Sequence, residues 1–148
     1  MKLEHRLVVP AARGPVWESL MDLPSVASCV PGVEALIPRG DNRFDGRLRV
    51  GVGPIRLNLT GELELVTRDD DAGRAVLRGH GADARLGGGV RVLLTLSLAE
   101  LDVGQTELLI ESDVQVLGRI GELGQPIMRR KADDLMRAFA ECLSGRLQ

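Results

Sequence analysis

Two histidines and two cysteines are the side chains best suited to chemistry in this chain of 148 residues. His80 and Asp83 lie close together in a glycine-rich stretch, and a histidine titrates near neutral pH. His80 is out of phase with the apolar positions Leu77 and Gly79, so we expect its side chain to point to the surface. A lone histidine without a positioned partner is weak evidence for acid–base catalysis. No nucleophile, base and acid come together elsewhere, which predicts a protein that is not an enzyme.

His5 is in phase with Leu3 and Leu7 in a segment that alternates apolar and charged residues. The alternation predicts a half-buried strand with His5 on its inner face. Two interpretations of this histidine stay open. It is either an edge-strand residue close to solvent, which we favour, or a contact with a bound ligand.

Cys29 and Cys142 do not have the spacing of a metal-binding motif. The N-terminus alternates charged and apolar residues, which does not resemble a signal peptide. We therefore expect a cytoplasmic protein in which both thiols are reduced. Cys142 would then act as a small apolar residue of the terminal helix.

The composition excludes several classes of protein. A formal net charge of −2 is not the basic footprint of a nucleic-acid-binding protein, and 2% aromatic residues cannot form a base-stacking platform. No apolar run approaches the ~18–20 residues of a membrane span. The glycines at 87–89 open a strand and lack a following Lys-Ser/Thr, so they do not form a phosphate-binding loop. Neither a metal nor a covalently bound cofactor is predicted.

Most of the chain has the two-residue periodicity of β-strands. Residues 3–9 predict a first strand, which two short helical segments follow. Six more strands begin at Val33, and the short turns between them predict antiparallel neighbours. Each strand has one apolar face and one charged face, so the sheet needs a cover on its apolar side.

The segment from Pro126 to Leu147 predicts a long amphipathic helix. Its roughly 22 residues would span about 33 Å. Its apolar residues share one arc, and its charged residues lie opposite, with pairs such as Asp133 and Arg137 one turn apart. The predicted fold class is therefore α+β. A curved antiparallel sheet of about seven strands wraps around a long C-terminal helix, two short helices follow strand 1, and residues 1–148 form a single domain.

Glycines such as Gly61 and Gly79 interrupt the inner face of the predicted sheet. They either leave space for a cavity or only relieve the curvature of the sheet, and the sequence leaves both alternatives open. A cavity would be lined by inward strand positions and closed by the terminal helix and Trp17, residues that would otherwise pack as ordinary core. The predicted ligand-binding residues are Trp17, Leu57, Leu59, Val92, Leu94, Val114, Met128, Leu135, Met136 and Phe139.

A series of short motifs extends over nearly the whole chain. They include Pro15-Val16-Trp17, Cys29-Val30-Pro31-Gly32, Phe44-Asp45-Gly46, Val50-Gly51-Val52-Gly53-Pro54, Gly79-His80-Gly81-Ala82-Asp83, Gly104-Gln105-Thr106 and Val116-Leu117-Gly118-Arg119-Ile120. In this order and spacing, the sequence resembles the carbon monoxide dehydrogenase CoxG family, a branch of the START-like (SRPBCC), helix-grip superfamily. Each motif alone is weak evidence, and their number makes the resemblance specific.

The resemblance implies a helix-grip fold with a pocket between sheet and helix. It also implies an accessory protein that associates with a molybdenum hydroxylase of the CO dehydrogenase type and helps to couple that enzyme to the membrane. A quinone or another lipid-like molecule is the ligand that it suggests. Many relatives continue into a C-terminal segment suited to membrane contact, whereas this sequence stops at Gln148. We therefore expect at most peripheral contact with the inner face of the cell membrane.

Two other functions fit the same fold. A cyclase or hydrolase of the START-like kind would need polar groups inside the pocket, where the sequence offers little beyond Ser112 and His5. A docking module with a filled core would bind no ligand. Ligand retention by the purified protein separates the second of these from a carrier.

Overall fold

Seven strands form one antiparallel sheet in the computed structural model, which describes residues 1–148. The strands are β1 (Lys2–Val9), β2 (Val33–Gly40), β3 (Arg43–Val52), β4 (Ile55–Asp69), β5 (Arg74–Asp83), β6 (Gly88–Asp102) and β7 (Gln105–Gly118). Two short helices, α1 (Arg13–Met21) and α2 (Leu23–Ala27), follow β1. A 3₁₀ helix (Arg119–Leu123) leads into the long helix α3 (Gln125–Arg146).

The strand order across the sheet is β1-β7-β6-β5-β4-β3-β2. Strands from β2 to β7 are therefore joined by hairpins, and β1 pairs with β7 at one edge. Helix α3 approaches both β1 and β3, which lie far apart in this order, so the sheet curves around the helix. The α+β fold class predicted from the alternating residues is confirmed.

The close approach of β4 to β5 explains one of the inner-face glycines. Gly61 is paired with Gly81, and a Cβ atom on Gly61 would collide with the backbone of His80 and Gly81. Gly79 is different, because a Cβ there would meet only the side chains of Leu63 and Val92, each at 3.3 Å. Sheet geometry therefore requires glycine at 61, while at 79 glycine leaves room on the inner face.

The apolar side chains of the sheet and helices form two separate clusters. The larger cluster joins α1, α2 and one end of the sheet to the C-terminal half of α3, where Phe139 and Leu143 are buried. The smaller cluster lies at the other end of the sheet. Its buried members are Val50, Val52, Leu57 and Ile120. Helix α3 spans both clusters and the space between them.

Cys29, just beyond α2, forms a disulfide with Cys142 on α3. The two Cα atoms are 5.4 Å apart although 113 positions separate the residues in sequence. The expectation of two reduced thiols is therefore wrong. Sequence spacing could not indicate this bond, because the contact arises only when the end of α3 packs against α2.

Further polar contacts fix the end of α3 beside this disulfide. The guanidinium of Arg146 donates to the carbonyl oxygen of Ser25 at 2.8 Å and also to the hydroxyl of Ser28. No helix in the structure combines the length and the apolar character that crossing a bilayer requires.

Candidate ligand-binding cavity

An open cleft of about 960 Å³ lies where β5, β6 and β7 face the beginning of α3. Its inner wall includes Gly79, Val92, Val114 and Val116 from the strands and Met128 from the helix. The other strand residues around the cleft alternate with these positions and so face the opposite side of the sheet. They are Arg78, His80, Arg91, Leu93, Asp113 and Gln115. The stated volume is therefore an upper limit for the space inside the sheet.

This space is open because the two apolar clusters do not meet at the centre of the sheet. Val92 and Val114 belong to neither cluster and are only partly buried. They are paired with each other, and Val92 is also paired with Gly79, which contributes no side chain. Three adjacent inner-face positions thus carry small side chains, and the wall that they form is apolar and shallow.

The structure distributes the ten predicted pocket residues over three environments. Val92, Val114 and Met128 line the cleft. Leu59 and Leu135 pack at the edge of the smaller cluster, whereas Leu94 and Met136 pack at the edge of the larger one. The remaining three, Trp17, Leu57 and Phe139, are buried within the clusters themselves. Whether any of the ten contacts a ligand stays a prediction.

Trp17 is held away from the cleft by a specific contact. Its indole Nε1–H donates to the carboxylate Oδ1 of Asp70, at 2.8 Å, in the loop between β4 and β5. The salt bridge from Arg68, as the larger cause, and this contact with Trp17 lower the pKa of Asp70. Trp17 therefore anchors α1 to the end of the sheet, next to the larger cluster.

His80 and Asp83 do not act together. The side chain of His80 is exposed, as predicted, and its Nε2 lies 3.7 Å from Oε2 of Glu62. Asp83 is buried and accepts hydrogen bonds from the backbone N–H groups of Asn58, Arg85 and Leu86 at 2.9, 3.0 and 3.1 Å. These N–H groups, Asn58 first, hold the pKa of Asp83 below its ordinary value of 3.8, against the opposing effect of burial. Asp83 therefore braces the turn between β5 and β6.

A second histidine–carboxylate pair joins the sheet to the helix. His5 lies on the inner face of β1, and its Nε2 is 2.7 Å from Oδ1 of Asp133 on α3. On the helical wheel Asp133 lies on the outer, charged arc, so sequence reasoning missed this contact. The available signal was His5 itself, a polar residue in phase with the inward positions Leu3 and Leu7. No group of three or more histidine, cysteine, aspartate or glutamate side chains is arranged to hold a metal ion.

A curved sheet closed over a long C-terminal helix, with an apolar cleft between them, defines the START-like, helix-grip class of proteins. Solved structures share this fold. A conserved protein from Geobacillus kaustophilus has a TM-score of 0.90 at 18% identity, over 99% of this chain and 95% of that one. The Zhui aromatase/cyclase from Streptomyces sp. R1128 has a TM-score of 0.71 at 20% identity, over 99% and 93%.

A START superfamily protein from Mycobacterium smegmatis has a TM-score of 0.70 at 14% identity, over 99% of this chain and 96% of its own. Identities this low show the fold alone. No curated protein matches the sequence. A family model does match, and it covers residues 6–148. The chain belongs to the carbon monoxide dehydrogenase CoxG family, which confirms the resemblance seen in its motifs.

Proposed function

We propose that this protein is a non-enzymatic accessory protein that carries an apolar, lipid-like molecule, with a quinone as the leading candidate. The ligand lies in the cleft between β5, β6, β7 and the N-terminal half of α3. One observation supports this proposal above all. The inner wall at Gly79, Val92 and Val114 is apolar and partly exposed, although it lies between two well-packed clusters. Burial of apolar ligand surface there is favourable by about 25 cal/mol per Å².

The partner and the location belong to the same proposal and rest on family membership. The partner is a molybdenum hydroxylase of the CO dehydrogenase type, and the carrier links it to the inner face of the cell membrane from the cytoplasm. The Cys29–Cys142 disulfide is unusual for that compartment, where thiols are mostly reduced. The redox state of the protein isolated from cells therefore bears directly on the proposed location.

Ligand retention tests the carrier proposal. The protein is purified without detergent and studied by native mass spectrometry, and an organic extract is analysed for quinones and other lipids. We expect a bound apolar molecule or, if the protein is isolated empty, uptake of a short-tailed quinone at about one molecule per chain. A protein that neither retains nor takes up any apolar molecule would be a docking module instead.

A matched pair of variants locates the binding. Val92→Phe fills the cleft with an aromatic ring and should abolish uptake while leaving the melting temperature unchanged or higher, because the ring occupies empty apolar space. Thr95→Phe, on the outward face of the same strand, should bind as the parent does. Equal uptake by both variants would place the ligand somewhere other than the cleft.

A further inference from the structure

The inner face of the sheet carries two polar side chains beside the apolar cleft. The side chain of His5 is 14% exposed, and Ser112 is 6% exposed. Ser112 is paired with Leu3 and His5 with Ile110, so Ser112 and His5 are diagonal neighbours on adjacent strands. Diagonal neighbours on one face lie about 7–8 Å apart, within reach of a shared ligand atom.

These two residues continue the wall of the cleft. Ser112 is the next inner-face position along β7 from Val114, which lines the cleft. Met1, at the start of β1, also lines the cleft, and its amino group donates to the carbonyl oxygen of Val114 at 2.8 Å. From this edge, Ser112 and then His5 lead towards the larger cluster, underneath Asp133 of α3.

The contact with Asp133 determines which nitrogen of His5 carries the proton. An ionised carboxylate can only accept hydrogen bonds, so the neutral imidazole must carry its hydrogen on Nε2, which faces Asp133. The other nitrogen, Nδ1, is then a hydrogen-bond acceptor. It is buried and has no partner, and it is the one buried side-chain nitrogen or oxygen in the structure in this condition. Such an orphaned acceptor calls for an explanation.

A purely structural link between β1 and α3 would explain the bond at Nε2 but not the open acceptor at Nδ1. We infer that His5 and Ser112 form a polar anchor for the hydroxyl group of an apolar alcohol or phenol whose tail lies in the cleft. This inference rests on the carrier function proposed above. The ligand hydroxyl donates to Nδ1 of His5, and its oxygen accepts a hydrogen bond from the hydroxyl of Ser112.

The anchor selects between two forms of the proposed quinone ligand. A hydroquinone has a hydroxyl hydrogen to donate to Nδ1, whereas a quinone carbonyl has none. The site with neutral His5 therefore favours the reduced form. The same rule favours any phenol over its methyl ether, which gives a test that involves no redox chemistry.

The test compares 4-pentylphenol with 4-pentylanisole, which have the same tail and differ in the hydroxyl hydrogen. Binding to the full chain is measured by isothermal titration calorimetry at neutral pH. We expect the phenol to bind about tenfold more tightly than the ether, the effect of one additional hydrogen bond. His5→Phe should remove this preference and Ser112→Ala should reduce it. Glu4→Gln, on the outward face of β1, should keep it.

Asp133→Asn is the second variant, in case His5→Phe does not fold, because Asp133 is exposed and its replacement by an isosteric amide is mild. It removes the charge that keeps the hydrogen on Nε2, so the preference for the phenol should fall. Equal affinity of the parent protein for phenol and ether overturns the anchor but leaves the carrier function intact. A preference that survives in both His5→Phe and Asp133→Asn also overturns it. Failure of both compounds to bind contradicts the carrier function, and the anchor with it.

Discussion

The two halves of α3 lie over different parts of the sheet and are held in different ways. The C-terminal half packs Phe139 and Leu143 into the larger cluster and is fastened by the disulfide at Cys142 and by Arg146. The N-terminal half lies over the cleft. Its inward side chain Met128 is only partly buried, and its polar contacts to β1 are those of Asp133 and Arg129.

One helix therefore serves two purposes along its length. Dense packing and a covalent bond make the C-terminal half a source of stability. Sparse packing lets the N-terminal half border a cavity without unfolding the domain. Substitutions in the C-terminal half should therefore change stability, and substitutions in the N-terminal half should change ligand binding.

The largest effect is expected from removal of the disulfide. Cys142→Ser opens a loop that the bond closes over 113 positions, and we expect a loss of about 4 kcal/mol in the free energy of unfolding. Urea denaturation without reductant measures it. Parent protein treated with dithiothreitol should show the same lower midpoint, and untreated parent protein should have no titratable thiol. A midpoint insensitive to both changes would show that the bond does not stabilise the fold.

The next largest effect compares two leucines of α3. Leu143 is 0% exposed, and Leu143→Ala should cost about 3 kcal/mol because it leaves a cavity in a close-packed cluster. Leu135 is only partly buried, so Leu135→Ala should cost roughly 1 kcal/mol. Both values come from chemical denaturation of the purified variants. Equal losses would contradict the division of the helix into two halves.

A smaller effect concerns the turn that Asp83 braces at the cleft end of the sheet. Because the folded pKa of Asp83 lies below its ordinary value of 3.8, its carboxylate contributes stability that is fully present above that value. The contribution is lost as the pH falls through the folded pKa. Asp83→Asn should therefore melt at a lower temperature than the parent at pH 7, and the difference should shrink below about pH 4. A difference that is constant from pH 7 to pH 3 would assign the effect to packing rather than to charge.

Sequence periodicity predicted the fold well because each strand has one buried face. In β7, for example, Leu108, Ile110 and Ser112 alternate with outward positions, and this pattern alone determines which side faces the helix. The turns between successive strands determined their antiparallel pairing. The length of α3 followed from its apolar arc.

The cavity could be predicted only in part, because its extent depends on where the two clusters end. Inward residues such as Phe139 and Val92 both follow the periodicity of their own elements, yet Phe139 fills a cluster and Val92 lines the cleft. The disulfide and the His5–Asp133 contact could not be predicted either. Both join residues more than a hundred positions apart, and their proximity is a consequence of how α3 packs on the rest of the chain.

Hydrogen exchange of the backbone amides, with and without a bound short-tailed quinone such as decylubiquinone, distinguishes a cleft-bordering half of α3 from a fixed half in one experiment. The ligand should slow exchange at residues 125–135 of α3 and in the centres of β5, β6 and β7, which border the cleft. Exchange at residues 139–146, already fixed by packing and by the disulfide, should stay the same. Protection confined to the C-terminal half of α3, or absent from the cleft strands, would contradict a ligand site in the cleft.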